Sequence, residues 1–168
     1  MRKKLRVLSL ALALICLTAC GGGKDVDLDD FWARLEGEYE MPATMPQDEL
    51  PEVLEVYYPG LESHPDHKAA ARQMSGFGGV VSFTLRADLR GTAQFLDRLK
   101  IPFITPSLGG AESLVNQPAL LSYYSISAED RAALGIKDNL VRYALGFEDA
   151  GDLIADLQTA FDWLEKQG

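Results

Sequence analysis

The chain has 168 residues, 47% of them apolar and 24% charged, and a formal net charge of −9. That length suffices for one domain with a buried core, or a small domain plus an appendage, and the apolar share excludes a wholly disordered chain. The charges before residue 21 are all basic (Arg2, Lys3, Lys4 and Arg6), so the remainder stands at −13 and repels phosphate backbones, which excludes nucleic acid as a partner.

In chain order, MRKKLR is a basic leader and VLSLALALICL a short apolar run. Leu17-Thr18-Ala19-Cys20, followed by Gly-Gly-Gly, resembles the lipobox of bacterial lipoproteins. The resemblance implies a signal peptide over 1–20, lipidation of Cys20, and a membrane-anchored, extracytoplasmic chain. An ordinary secretory signal shares the first two features. Cys16 and Cys20 both lie here, so the body after them has no thiol chemistry. No segment after residue 20 is apolar enough for long enough to span a bilayer.

Residues 21–26 read as a tether and 27–37 as a short helix, with Phe31, Trp32 and Leu35 on one face. The stretch 21–56 forms the second unit of the chain, with a second short helix predicted over DELPEVLEVYY, Pro51 in its first turn. The third unit, 57–168, has a different texture. SHPDHKAAARQM predicts a helix capped by Ser63, and VVSFTLR a strand with Val81, Phe83 and Leu85 on one face. DLRGTAQFLDRLK predicts an amphipathic helix with Leu89, Ala93, Leu96 and Leu99 in one stripe. IPFITPS is extended, and AESLVNQPALLSYYSIS holds one or two more extended pieces. SAEDRAALGI is a capped helix ending at Gly135, residues 139–147 a strand, and DAGDLIADLQTAFDWLEKQ a closing helix with Leu153, Ile154, Leu157, Phe161 and Leu164 inward. The order implies a small α+β fold: an antiparallel or mixed sheet covered by helices on one face.

DNLVRYALGFED places one arginine inside an apolar run. Strand alternation puts Val141, Tyr143, Leu145 and Phe147 toward the core and Arg142 on the other face, beside Ala144 and Gly146. Small neighbours leave room for a planar anion held by two parallel hydrogen bonds, which arginine makes and lysine does not. A solvated arginine, or one paired with a carboxylate, fits the same pattern.

YPGLESHPDH, QMSGFGGVVSF, PSLGGAESLVNQPA and DNLVRYALGFED, in this order, resemble the C-terminal domain of the Cys/Met-metabolism PLP enzymes, the cystathionine γ-synthase, cystathionine lyase and methionine γ-lyase group. The resemblance runs from about residue 57 to the end. LKIPFITPS and DNLVR are most similar to the plant-type cystathionine γ-synthases. It implies the small domain of a fold-type I PLP transferase, in the transsulfuration of methionine and cysteine metabolism, with an amino acid as substrate. It also implies that Arg142 holds the substrate α-carboxylate, that Ser107 helps, and that Gly109 and Gly110 let the backbone approach the ligand. Many relatives carry Glu before that serine where this chain has Pro106, which leaves γ-replacement and elimination both open. The family's Schiff-base lysine follows Ser-x-Thr, and no lysine here does. A catalytically incomplete chain, unable to hold PLP covalently, is therefore expected, with a homo-oligomer or a large-domain partner completing it. Residues 27–60, VDLDDFWARLEGEYEMP with YYPG, are also similar to a family of small bacterial lipoproteins, so a membrane-anchored, non-catalytic binding module is the second reading.

His64, Asp66 and His67 lie close together but are expected to start a helix rather than bind a metal. SGFGG precedes a strand, so it lacks the helix N-terminus of a phosphate cradle. Ser107, Ser113 and Ser122 have no histidine arrangement for a hydrolase triad, and Tyr123 and Tyr124 are expected to be packing or interface residues rather than catalysts.

Overall fold

In the computed structural model, residues 50–167 are described. The expected signal segment, Cys20, the tether and the 27–37 helix lie outside them. Among the described residues a five-stranded mixed sheet runs in the order β1-β2-β5-β4-β3. Its strands are β1 (Val53–Tyr57), β2 (Val80–Leu85), β3 (Phe103–Ile104), β4 (Leu114–Asn116) and β5 (Leu140–Ala144). Three of its four pairings, β1 with β2, β2 with β5 and β5 with β4, are antiparallel, and at the edge β3 joins β4 in parallel. The helices are α1 (His67–Gln73), α2 (Leu89–Leu96), α3 (Pro118–Leu121), α4 (Ala128–Ala133) and α5 (Ala150–Glu165).

The register assigns the two faces. Val81 and Val115 flank Tyr143, and Phe83 is opposite Val141; all five are buried. Over them lie α2 and α5, where the Phe95 and Phe161 rings meet at 4.9 Å, tilted to each other, and each sits 6.3 Å from Phe83. Each buried aromatic removes a large apolar area from water, so this layer carries most of the stability. The other face has the row Tyr57, Ser82, Arg142 and Asn116.

Several boundaries differ from the sequence reading. The DELPEVLEVYY segment holds strand β1, not a helix: Val53, Val56 and Tyr57 suit a pleated ladder, and β2 supplies the partner. Helix α1 begins after Asp66 rather than Ser63, because the chain first makes turns from Leu61 to His64 and from His64 to His67. The buried stripe of α2 is Thr92, Phe95 and Leu96, so Phe95 takes the place expected of Ala93. Residues 118–121, expected as extended, form a short helix with proline in its first turn. Phe147 is 61% exposed, since β5 ends at Ala144 and the chain then turns away from the core.

The capped helix that ends at Gly135 and the inward apolar stripe of the closing helix agree with the sequence reading. Asp88, Ser127 and Asp149 cap α2, α4 and α5 with side-chain oxygens, and Gly135 ends the α4 turn at φ 77°. Leu153, Leu157, Phe161 and Leu164 face inward. Arg131 ties its loop together by donating to the Ile126 carbonyl at 2.7 Å and pairing with Asp138 at 2.8 Å. Among the described residues no helix is long and apolar enough to cross a membrane.

Candidate functional site

Strand β5 places Arg142 on the face away from α2 and α5, since its neighbours Val141 and Tyr143 are the buried pair. The guanidinium reaches toward the loop that joins β3 to β4. Its Nη2 donates to the carbonyl of Pro106 at 2.7 Å and to that of Ser107 at 2.6 Å. Both N–H bonds of that nitrogen are thereby used, which leaves the two donors of Nη1 for a ligand. Nε is buried without a partner among the described residues. Across the ladder, Asn116 is fully buried, and its Oδ1 also lacks a partner while its amide nitrogen donates to the Thr105 carbonyl at 3.3 Å. An orphaned donor and an orphaned acceptor therefore occupy cross-strand positions.

Ser107 is exposed, and its hydroxyl has no partner among the described residues. Its backbone, not its side chain, meets Arg142. Gly109 follows at φ 74°, in the left-handed region that favours glycine, so the SLGG turn needs it for backbone geometry. The space expected beside Arg142 is smaller than the sequence implies. Ala144 is buried, and a side chain at Gly146 would collide with the backbone of Ala111, Glu112 and Ser113. Gly146 is a contact point for the loop rather than open room.

The far foot of that loop is held by residues the sequence did not single out. The Glu148 carboxylate accepts from the Ser113 N–H and from the Ser113 hydroxyl, both at 2.7 Å. Burial pushes the Glu148 carboxyl up, but the Ser113 N–H and hydroxyl, with its own N–H, outweigh this and hold it below the usual value. Gly146 N–H donates to the Ser113 hydroxyl at 3.0 Å, and Phe147 N–H to the Ala111 carbonyl at 2.8 Å. No local motif announces these bonds, because they join residues 33 to 36 apart in the chain.

Elsewhere on the open face, Lys137 bridges Glu55 at 2.5 Å and donates to Tyr57 at 3.2 Å. His64 accepts from the Asp66 N–H, while His67 Nδ1 bonds the Pro59 carbonyl at 2.9 Å and its ring stacks on Phe77. Among the described residues no group of histidine, cysteine and carboxylate side chains could hold a metal. Tyr124, expected as a packing or interface residue, is 74% exposed. A cavity of about 350 Å³ lies at the opposite end, between Glu52, Arg86, Asp88 and Leu164, and contains neither Arg142 nor Ser107.

The sequence profile of the Cys/Met metabolism PLP-dependent enzyme family matches residues 45–162. The chain belongs to that family. Cystathionine gamma-synthase 1, chloroplastic, of Nicotiana tabacum is 59% identical over 112 residues, 67% of this chain and 21% of the tobacco enzyme. Cystathionine gamma-lyase of Mus musculus is 38% identical over 167 residues, 95% of this chain and 41% of the mouse enzyme. Among solved structures, cystathionine gamma synthase from Xanthomonas oryzae pv. oryzae in complex with cystathionine superposes with a TM-score of 0.66 and 40% identity, covering 73% of this chain and 32% of that one. The same enzyme in complex with aminoacrylate and cysteine matches equally well. This chain thus spans well under half the length of each of these relatives.

The family is PLP-dependent, and the resemblance places the cofactor's anchoring lysine after a Ser-x-Thr sequence. Lys137 is engaged by Glu55 and Tyr57, Lys166 ends α5, Lys68 lies in α1, and the Lys100 segment is tied to α5 through Asp156. None follows a Ser-x-Thr sequence. No covalent step is assigned to this chain.

Proposed function

We propose that residues 57–168 form the α-carboxylate-binding wall of a cystathionine γ-synthase-like or lyase-like transsulfuration site, with Arg142 as the principal donor and the Ser107 turn beside it. The observation that carries this reading is the Arg142 guanidinium on the open sheet face, bonded through Nη2 to the Pro106 and Ser107 carbonyls. Those bonds aim a positive, planar donor at the SLGG turn, and Nη1 keeps N–H groups free to donate a charge-assisted bond to an amino-acid carboxylate. The relatives crystallised with cystathionine and with cysteine favour a sulfur-containing amino acid as the ligand class. The chain by itself binds without turning over, because PLP supplies the electron sink in this family and needs a lysine that these residues lack.

The test is titration of the full chain with L-cystathionine, followed by NMR shifts at Ser107, Gly109 and Gly110. Arg142→Ala is expected to weaken binding at least tenfold with the fold retained. Arg142→Lys is expected to recover little, since a single ammonium cannot hold the Pro106 and Ser107 carbonyls through one nitrogen and present a second to the carboxylate. Binding that survives both substitutions would sink the carboxylate reading.

Cellular placement is a separate proposal. The leader, apolar run and Leu17-Thr18-Ala19-Cys20 support export and lipidation at Cys20. The mouse lyase alignment over 95% of the chain competes with it, because it runs into the same N-terminal segment. Fractionation with labelled fatty acid decides: label that survives Cys20→Ser would end the anchor proposal.

A further inference from the structure

Beyond the two residues of the proposed carboxylate site, the structure holds a second set of contacts on the same loop. Residues 105–113 leave the sheet at β3 and return at β4. The first foot is fastened by Arg142. The second is fastened by Gly146, Phe147 and Glu148, from the turn that directly follows β5. One segment, 142–148, therefore grips both feet of the loop that carries Ser107.

The second foot is built closely. Ser113 is fully buried, and its hydroxyl accepts from Gly146 N–H while donating to Glu148. That uses the hydroxyl in both of its capacities, as donor and as acceptor. Glu148 accepts with both oxygens, one from the hydroxyl and one from the backbone of Ser113, which are charge-assisted bonds. Contact between the backbones at Gly146 and at 111–113 removes slack, since even a methyl group at 146 has no space.

We infer that Glu148, acting through Ser113, is a positioning residue that seats the 105–113 loop on β5 and so presents Ser107 and Gly109 beside the Arg142 guanidinium. Glu148 touches no ligand in this arrangement. Its effect on a ligand rests on the carboxylate reading above, whereas its effect on the loop does not. A glutamine at 148 keeps the shape but has one acceptor oxygen instead of two and no charge, so one of the two Ser113 donors loses its acceptor and the remaining bond loses its charge assistance.

The experiment uses the full chain and needs no PLP. Hydrogen exchange is read at the Phe147 amide, whose acceptor is Ala111, so it reports loop seating without being a bond to the altered groups. In Glu148→Gln and in Ser113→Ala, exchange at Phe147 is expected to rise about tenfold or more. Exchange at Val81, Phe83, Val141 and Tyr143 in the central ladder is expected to stay as in the unaltered chain. That contrast separates local loosening from general destabilisation, and Glu148→Gln covers the case in which Ser113→Ala fails to fold. The apparent Kd for L-cystathionine is expected to rise about tenfold in Glu148→Gln.

Unchanged Phe147 exchange in both variants would overturn the seating claim. A loosened loop with undiminished cystathionine affinity would overturn the positioning role and leave only a structural one. Failure of the unaltered chain to bind cystathionine, or binding indifferent to Arg142→Ala, would instead remove the carboxylate reading, with seating still judged by exchange.

Discussion

The two faces of the sheet solve different problems with the same strands. Toward α2 and α5, Val81, Phe83, Leu85, Val141 and Tyr143 meet Phe95, Leu157 and Phe161 in a layer with almost no exposure. Toward the other side, Tyr57, Ser82 and Arg142 alternate with them in sequence but face Lys137, Glu55 and a loop held by hydrogen bonds. The first face is stabilised by apolar area and the second by directed polar contacts. Loss of a core side chain should therefore unfold the domain, whereas loss of an open-face group should alter a local geometry.

Phe161→Ala breaks the comparison on the core side and carries the largest expected effect. Phe161 is 3% exposed and touches both Phe83 and Phe95, so about 3–5 kcal/mol of stability should be lost in urea unfolding. A loss below about 1 kcal/mol would show that the aromatic layer is not what holds the fold.

Asp156 tests the margin between the two regimes. Its carboxylate, 8% exposed on α5, accepts from the backbone N–H of Lys100 at 2.9 Å and from that of Ile101 at 3.0 Å. Asp156→Ala leaves both donors short of a partner, so a loss of about 2 kcal/mol is expected by urea unfolding. If the loss is small, water replaces the carboxylate at those donors.

Glu148 sharpens the polar side through pH. Its carboxyl is held below the usual value in the folded chain, so its stabilisation is complete above the unfolded value of 4.5 and disappears as pH falls through the lower folded value. The difference in urea midpoint between the unaltered chain and Glu148→Gln should be constant from neutral pH down to the unfolded value, then close on further acidification. A gap that widens instead would reverse the sign of this linkage.

The smallest effect belongs to Lys137→Ala. Lys137 and Tyr57 hold the Glu55 carboxyl below its usual value, yet both ends of the ion pair are about half exposed. A change within about 1 kcal/mol is expected, shrinking as salt is added. A larger, salt-insensitive loss would mean that the open face carries stability after all.

Much of the fold is legible in the residues because its cause is local. The alternation over VVSFTL, the cap of the SAEDRAALGI helix at Ser127, and the apolar spacing of α5 all act within a few residues. DELPEVLEVYY misleads for the opposite reason, since only pairing with β2 makes it a strand. Phe147 misleads because alternation alone cannot reveal where β5 gives way to a turn.

The candidate site divides in the same way. Arg142 stands out as a charged residue among apolar ones, and side-chain alternation on a strand sends it away from Val141 and Tyr143 without further information. Its acceptors are backbone carbonyls, which every residue possesses and no sequence marks, and the grip of Glu148 on Ser113 spans 35 positions. Periodicity and family likeness, being properties of the chain read in order, determined the strand, its face and the family. The seating of the loop, the loss of room at Gly146 and the bonds of Arg142 were decided only by tertiary structure, because they arise where distant backbones meet.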